Sequence, residues 1–264
     1  MSDQAAIHCE RQGSIASVRI AHPGKFNAMS RRMWRQLREV FLGLQQDSSL
    51  RCVLVRGEGG HFCAGGDIAE YPDFRFAKDA LREFHEVEVW GGLSAMLACD
   101  LPMIACIEGN CMGAGMEIAS CCDLRLATTR SRFGAPIARL GFPMAPREAL
   151  LVTQAVGELT AREMLLAAAV LDAAEMKSRG FLNQVVPDDQ LSDAVDRLAQ
   201  GMAVLAPRAA RLNKQTLRHL RGAPPAGDPA NALVGGAFDY ADSTEHREGI
   251  EAFLSKRPPQ FSSE

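Results

Sequence analysis

Gly109-Asn110-Cys111-Met112-Gly113-Ala114-Gly115-Met116-Glu117-Ile118-Ala119-Ser120-Cys121-Cys122 follows directly on the apolar run Leu101-Pro102-Met103-Ile104-Ala105-Cys106-Ile107. That run, continuous and β-branched in part, reads as a buried strand. Cys111 to Cys122 then reads as a helix of small and apolar residues that carries one carboxylate, Glu117, and Asp123 to Ala127 returns at once as another strand. The same plan occurs earlier in the chain. Cys52-Val53-Leu54-Val55 is a short apolar strand, Gly57 to Asp67 is a glycine-rich loop, and a mixed helical stretch runs from about Phe76 to Ala98. Strand, glycine-rich junction, helix and strand in succession predict an α/β architecture with parallel pairings.

Working outward, Ile7 to Arg11 and Ser14 to Ile20 alternate as strands, with Ile15, Val18 and Ile20 expected inward. Ser30 is placed to cap a helix whose Met33, Trp34, Leu37, Val40, Phe41 and Leu44 share one face. Arg31, Arg32, Arg35 and Arg38 take the rest of that helix and are expected to form a solvated outer face. From Arg162 onward the patterns are helical, alanine-rich and charged, with Pro187, Pro207 and the Gly222 to Pro229 stretch as punctuation. The expected division is therefore 1–195 as the core that holds the site, and 196–264 as a helical region for packing and oligomerisation.

The 264 residues carry 29 basic and 32 acidic side chains, a formal charge of -3, which argues against nucleic acid as the main partner. The helically spaced Arg208, Arg211, Lys214, Arg218 and Arg221 are the only feature that could favour it. No apolar run approaches the ~20 residues that a bilayer core requires, Met164 to Leu171 being the longest. The opening residues show no basic segment followed by an apolar one, so a cytoplasmic location is expected. The eight cysteines form no C-x-x-C pair and sit largely in apolar segments, where they are expected to pack rather than bridge or bind metal.

Cys63-Ala64-Gly65-Gly66-Asp67 and Gly113-Ala114-Gly115 each follow a buried strand and place small residues where backbone N–H groups can meet a ligand. The second opens a helix, whose positive end favours developing negative charge. Two converging N–H donors make an oxyanion hole, each worth on the order of 3 kcal/mol in acyl chemistry. Neither loop has a phosphate-binding G-x-x-x-x-G-K-[ST] or G-x-G-x-x-G pattern. A pair of tight structural turns is the plain alternative. Glu117, among Gly, Ala, Met, Ile, Ser and Cys, favours the chemical reading, because burial raises a carboxyl pKa toward the range of general acid/base work. Its plain alternative is stabilisation of the helix N-terminus.

These segments resemble the crotonase, or enoyl-CoA hydratase/isomerase, superfamily. The resemblance is carried by His22-Pro23-Gly24-Lys25-Phe26-Asn27-Ala28, Phe62-Cys63-Ala64-Gly65-Gly66-Asp67-Ile68, Gly109 to Glu117, Cys122-Asp123 and Glu248 to Arg257. It implies a spiral of ββα units with a helical C-terminal region, assembly as trimers or dimers of trimers, and coenzyme A thioester substrates. No metal or redox cofactor is implied, coenzyme A being part of the substrate. By the resemblance, the N–H groups of Ala64 and Ala114 hold the thioester oxygen, and Glu117 is the acid/base. Ala64, Gly65, Gly66, Asp67 and Ile68 line the adenine and pantetheine, Lys25 and Phe26 lie along the coenzyme, and Gly113 and Ile137 are further substrate-binding positions. Phe253, Lys256 and Arg257 reach the nucleotide, with simple helix packing as the alternative.

One departure bears on the reaction. Family hydratases use two glutamates, one holding water and one delivering or removing the proton; Glu117 matches the first, and the second is expected after the proline of Phe133-Gly134-Ala135-Pro136-Ile137, where isoleucine stands. Isoleucine transfers no proton. The following stretch, Leu140-Gly141-Phe142-Pro143-Met144-Ala145-Pro146-Arg147-Glu148, also departs from the family's glycine-rich pattern. Double-bond isomerisation through Glu117 alone, hydration with Glu148 or another group as substitute, decarboxylation or another lyase reaction, and acyl-CoA binding without turnover all stay open. Arg139, Arg147 and Glu148 are expected to be solvent-exposed.

Overall fold

The computed structural model describes residues 5–222 and 244–261; the Gly222 to Pro229 stretch thus lies, beyond its first residue, outside the described residues. β1 (Ala6–Gln12) and β2 (Ile15–Ala21) form an antiparallel hairpin. Ala16, Val18 and Ile20 point into the main core. Ile15 has the opposite parity and packs into a second cluster, on the other face of the sheet, with Leu124, Leu198 and Met202. Side chains alternate along a strand, so Ile15 cannot share a face with Val18 and Ile20.

α1 (Arg31–Gln46) starts where Ser30 Oγ accepts from Met33 N–H, and it buries Met33, Trp34, Leu37, Phe41 and Leu44. Complete burial of each such side chain contributes about 1.5–3 kcal/mol. Then follow β3 (Cys52–Gly57), α2 (Lys78–Glu83), a π-helical turn (Phe84–Val89) and α3 (Trp90–Ala98). Next come β4 (Met103–Ile107), β5 (Asn110–Met112), α4 (Ala114–Cys121), β6 (Leu124–Thr128) and β7 (Arg132–Gly134). α5 (Pro146–Val156), α6 (Glu158–Leu166), β8 (Val170–Asp172), α7 (Ala173–Ser178) and β9 (Gln184–Val186) complete the core. α8 (Leu191–Ala203), α9 (Pro207–Gly222) and α10 (Thr244–Leu254) follow.

The strands form a six-stranded sheet in the order β1-β2-β3-β4-β6-β9, parallel from β2 onward, and a three-stranded sheet β5-β7-β8. Each turn of chain gives a strand to the large sheet, a short segment to the second layer and then a helix. Met29 bridges Gly66 and Cys63 bridges Cys111 in parallel, so the second layer continues past β5 through both glycine loops. This is the crotonase-like spiral of ββα units, and it brings the two loops side by side.

Helix α4 is shorter than its sequence suggests. Cys111 and Met112 belong to β5, and Gly113, with φ of 47°, turns the chain before Ala114 begins the helix. Only glycine adopts that conformation without strain. The expected boundary at 195/196 falls inside α8, whose Ala194, Val195 and Ala199 pack in the second cluster beneath the sheet. The basic residues of α9 face protein partners: Arg211 donates to Asp47 O, Lys214 pairs with Asp123 at 2.8 Å, and Arg218 pairs with Asp100 at 2.8 Å. Seven cysteines are buried and Cys9 is exposed, all as free thiols. Among the described residues, no helix is long and apolar enough to cross a membrane.

Candidate active site

The turn of α4 and the first glycine loop border a cavity of about 340 Å³. Ala64, Gly65, Gly66, Ile68, Gly113, Ala114, Glu117 and Ile137 all line it, so most of the residues singled out from sequence converge on one space. Gly115 explains how closely the loops approach, since a β-carbon there would stand 2.6 Å from Cys63 O.

The first donor differs from the expectation. The Ala64 N–H already donates to Phe26 O at 3.0 Å and is not available to a thioester. Two residues later the chain reverses its hydrogen bonding. Gly65 O accepts from Met29 N–H and Asp67 N–H donates to Met29 O, which leaves the intervening Gly66 N–H with no backbone acceptor among the described residues. Ala114, the first residue of α4, presents its N–H at the helix start, where intrahelical acceptors do not exist. Gly66 and Ala114 thus each bring to the cavity wall an amide donor with no backbone acceptor among the described residues.

Glu117 sits one turn into α4. Among the described residues its carboxyl has no hydrogen-bond or ion-pair partner. Burial, with a smaller contribution from the negative field of Glu148, pushes its pKa up to about 8. At neutral pH it is mostly protonated, and a modest change of environment ionises it.

Asp67 caps the short 3₁₀ turn at Ile68–Asp73 by accepting from Ala69 N–H, and it pairs with Lys25 at 2.7 Å. Both charges are thus engaged with each other beside the cavity. Phe26 is 58% exposed, holds a left-handed φ of 47° and packs on the His61 ring at 4.6 Å. Lys256 is exposed, Arg257 pairs with Glu248 at 2.6 Å, and neither lines the cavity. The Phe253 side chain lies outside the described residues.

The opposite wall was not read from the sequence. Tyr71, Arg75, Phe84, His85, Phe142 and Met144 line it. The Arg75 guanidinium lies 3.8 Å from the centre of the Phe142 ring and 4.5 Å from that of Tyr71. Glu148 overturns the expectation of exposure. It is 2% exposed, and its Oε1 lies 3.1 Å from His85 Nδ1. Arg139 and Arg147 are exposed as expected, the first donating to Ala168 O and the second pairing with Glu86 at 3.1 Å.

The π-helical turn that carries His85 is anchored from below. Glu88, 6% exposed, accepts two bonds at 2.8 Å from Arg31 and one at 2.8 Å from Arg35. These two arginines of α1 clamp a buried carboxylate instead of forming part of a free solvated face. A π-turn widens the helix locally and re-aims its side chains, a device often found at functional sites.

The family model described as enoyl-CoA hydratase/isomerase matches residues 10–264. The chain belongs to this family. Among curated enoyl-CoA hydratase/isomerase relatives, the mevalonyl-coenzyme A hydratase of Beauveria bassiana is 31% identical over 259 residues, covering 94% of this chain and 91% of that protein. The short-chain-enoyl-CoA hydratase of Clostridium acetobutylicum is 29% identical over 250 residues and 94% of each chain. A solved structure titled enoyl-CoA hydratase/carnithine racemase, from Magnetospirillum magneticum, superposes with a TM-score of 0.93 at 33% identity. It covers all of this chain and 97% of that one.

Proposed function

We propose that this family member acts on acyl-CoA thioesters by stabilising an enolate, as an enoyl-CoA hydratase or isomerase with Glu117 as the group that moves the proton at the carbon next to the thioester. The observation that carries this reading is the juxtaposition of a half-buried Glu117, unpartnered among the described residues, with two free N–H groups, Gly66 and Ala114, in one cavity. The thioester oxygen accepts from both N–H groups, and the negative charge that develops on it is met at no cost of reorganisation. Gly65, Ile68 and Gly113 shape the approach of the pantetheine, while Ile137 walls the acyl end. Lys25 and Phe26, and at the C-terminal end Phe253 and Lys256, are the side chains we assign to the coenzyme. Coenzyme A enters as part of the substrate, the working assembly is a trimer or a dimer of trimers, and the site of action is the cytoplasm.

The test uses a saturated acyl thioester, butanoyl-CoA, in deuterated water, followed by mass spectrometry. Exchange of the C2 hydrogens by the wild type, lost by a factor of about 100 in Glu117→Gln, is the expected result. Absence of exchange in the wild type, or equal exchange in the variant, overturns the assignment.

A further inference from the structure

The second proton-transfer group of this site does not stand at Ile137, where the family pattern puts it. We propose that His85, held by the buried carboxylate of Glu148, is the general base that activates water for addition to 2-enoyl thioesters, which frees Glu117 to deliver the proton that the absent carboxylate at Ile137 would supply. The inference rests on the acyl-CoA reading above.

Three observations bring the pieces together. His85 and Glu117 line the same cavity, one from the π-helical turn and the other from α4. Glu148, from the first turn of α5, is buried and reaches His85 Nδ1 at 3.1 Å. It is also the one carboxylate whose field is felt at Glu117, which puts all three groups in one electrostatic cluster. With the Glu148 oxygen as acceptor, Nδ1 carries the hydrogen and Nε2 keeps the lone pair, the tautomer that a base requires. The imidazole then works as a base whose tautomer and orientation are fixed by a buried carboxylate, the division of labour known from hydrolytic triads. Burying Glu148 is an expense to the fold, offset by the bond to His85 and by its place in the first turn of α5.

In the step itself, Nε2 takes a proton from water as the water oxygen bonds to C3. The C2–C3 π pair moves to give the enolate, whose oxygen rests on the Gly66 and Ala114 N–H groups. Protonated Glu117 then delivers its proton to C2 and the thioester carbonyl re-forms. The proton on His85 returns to Glu117 by exchange with solvent, and no oxidant or reductant takes part. His85 is thus a catalytic residue, and Glu148 a positioning residue that acts through it.

The experiment measures two reactions on each variant. One is hydration of a short, a medium-chain and an aromatic 2-enoyl thioester in oxygen-18 water; the other is C2 exchange of butanoyl-CoA, which needs Glu117 but no base at C3. His85→Gln is expected to lower kcat for hydration about 100-fold while C2 exchange stays within about threefold, which also reports that the variant is folded. Glu148→Gln is expected to lower kcat for hydration about tenfold at unchanged KM, again with exchange kept, and His85→Gly is expected to recover hydration when imidazole is added. A hydration loss below tenfold in His85→Gln, or an equal loss of both reactions, overturns the proposal. So does a wild type that exchanges C2 hydrogens yet adds water to none of the three thioesters; that result leaves the enolate reading standing. A wild type with no exchange removes the enolate reading instead.

Discussion

The two sides of the cavity are built by opposite means. One side is backbone: β5, the Gly113 turn, the start of α4 and the Cys63–Asp67 loop, where side chains are small and the main chain borders the cavity. The other is side chain: the π-helical turn, the 3₁₀ turn at Ile137–Leu140 and the start of α5, where rings and charges fill space and residues far apart in sequence meet. A site made of backbone is fixed by strand register and tolerates little change. A site made of side chains can be reassigned, one proton carrier for another, while the fold stays the same.

The sharpest way to break this division is at Glu117, the single side chain with chemistry on the backbone side. Glu117→Gln should reduce turnover by about 100-fold or more with thioester affinity largely kept, measured by steady-state kinetics and calorimetric titration. The same substitution has a second consequence for stability. With a folded pKa near 8 against an ordinary 4.5, Glu117 favours folding in its protonated form. That contribution is complete below pH 4.5 and is lost as pH rises toward 8, so denaturant unfolding should find Glu117→Gln gaining on the wild type across this window. The gap should reach on the order of 4 kcal/mol at pH 8. A gap that does not change with pH would mean that Glu117 is not desolvated.

Arg31→Met strikes the other side alone. It removes the bidentate partner of Glu88 and leaves a buried carboxylate with Arg35 only, which should cost about 2 kcal/mol by chemical denaturation. Hydration should fall more than C2 exchange, because the π-turn that carries His85 loses its anchor. Equal losses would show that the two sides are not separable in this way. The smallest effect expected is at Ile137. In the wild type, Ile137→Glu adds a second carboxylate to the cavity wall and should give no gain in hydration; in His85→Gln it should restore hydration about fivefold.

What could be read from the sequence follows the same division. Apolar runs and glycine patterns pointed to the parallel strands and to the two ligand-facing loops, because backbone geometry leaves its mark on residue type, while the spiral came from the resemblance to the family. Within that half, the error at Ala64 came from hydrogen bonding: which amide in Ala64-Gly65-Gly66 is free depends on the pairing with Phe26 and Met29, and the loop's composition does not express it. The side-chain half was not legible. His85 and Glu148 are separated by 63 positions, and each looks ordinary in its own helix. Glu88 is similar, since its pairing with Arg31 and Arg35 spans more than 50 residues and turns an apparently solvated face into a clamp. The inward face of β2 was misjudged for a local reason, as Ile15 fits the apolar pattern of the strand but not its parity.

The burial of seven of the eight thiols has a use in the test tube. Desolvation pushes the Cys63 thiol up to about 12 and that of Cys111 well above the ordinary range, and these two face each other across the bridge that joins the loops. A thiol-selective reagent at neutral pH therefore meets Cys9 at once and the others only when their surroundings open. Labelling at Cys63 and Cys111 times the parting of the two loops, and labelling at Cys52 and Cys106, on the opposite face of the sheet, times the lifting of α8. The protein carries its own clocks for the opening of each layer, already installed at the positions where an experimenter would want them.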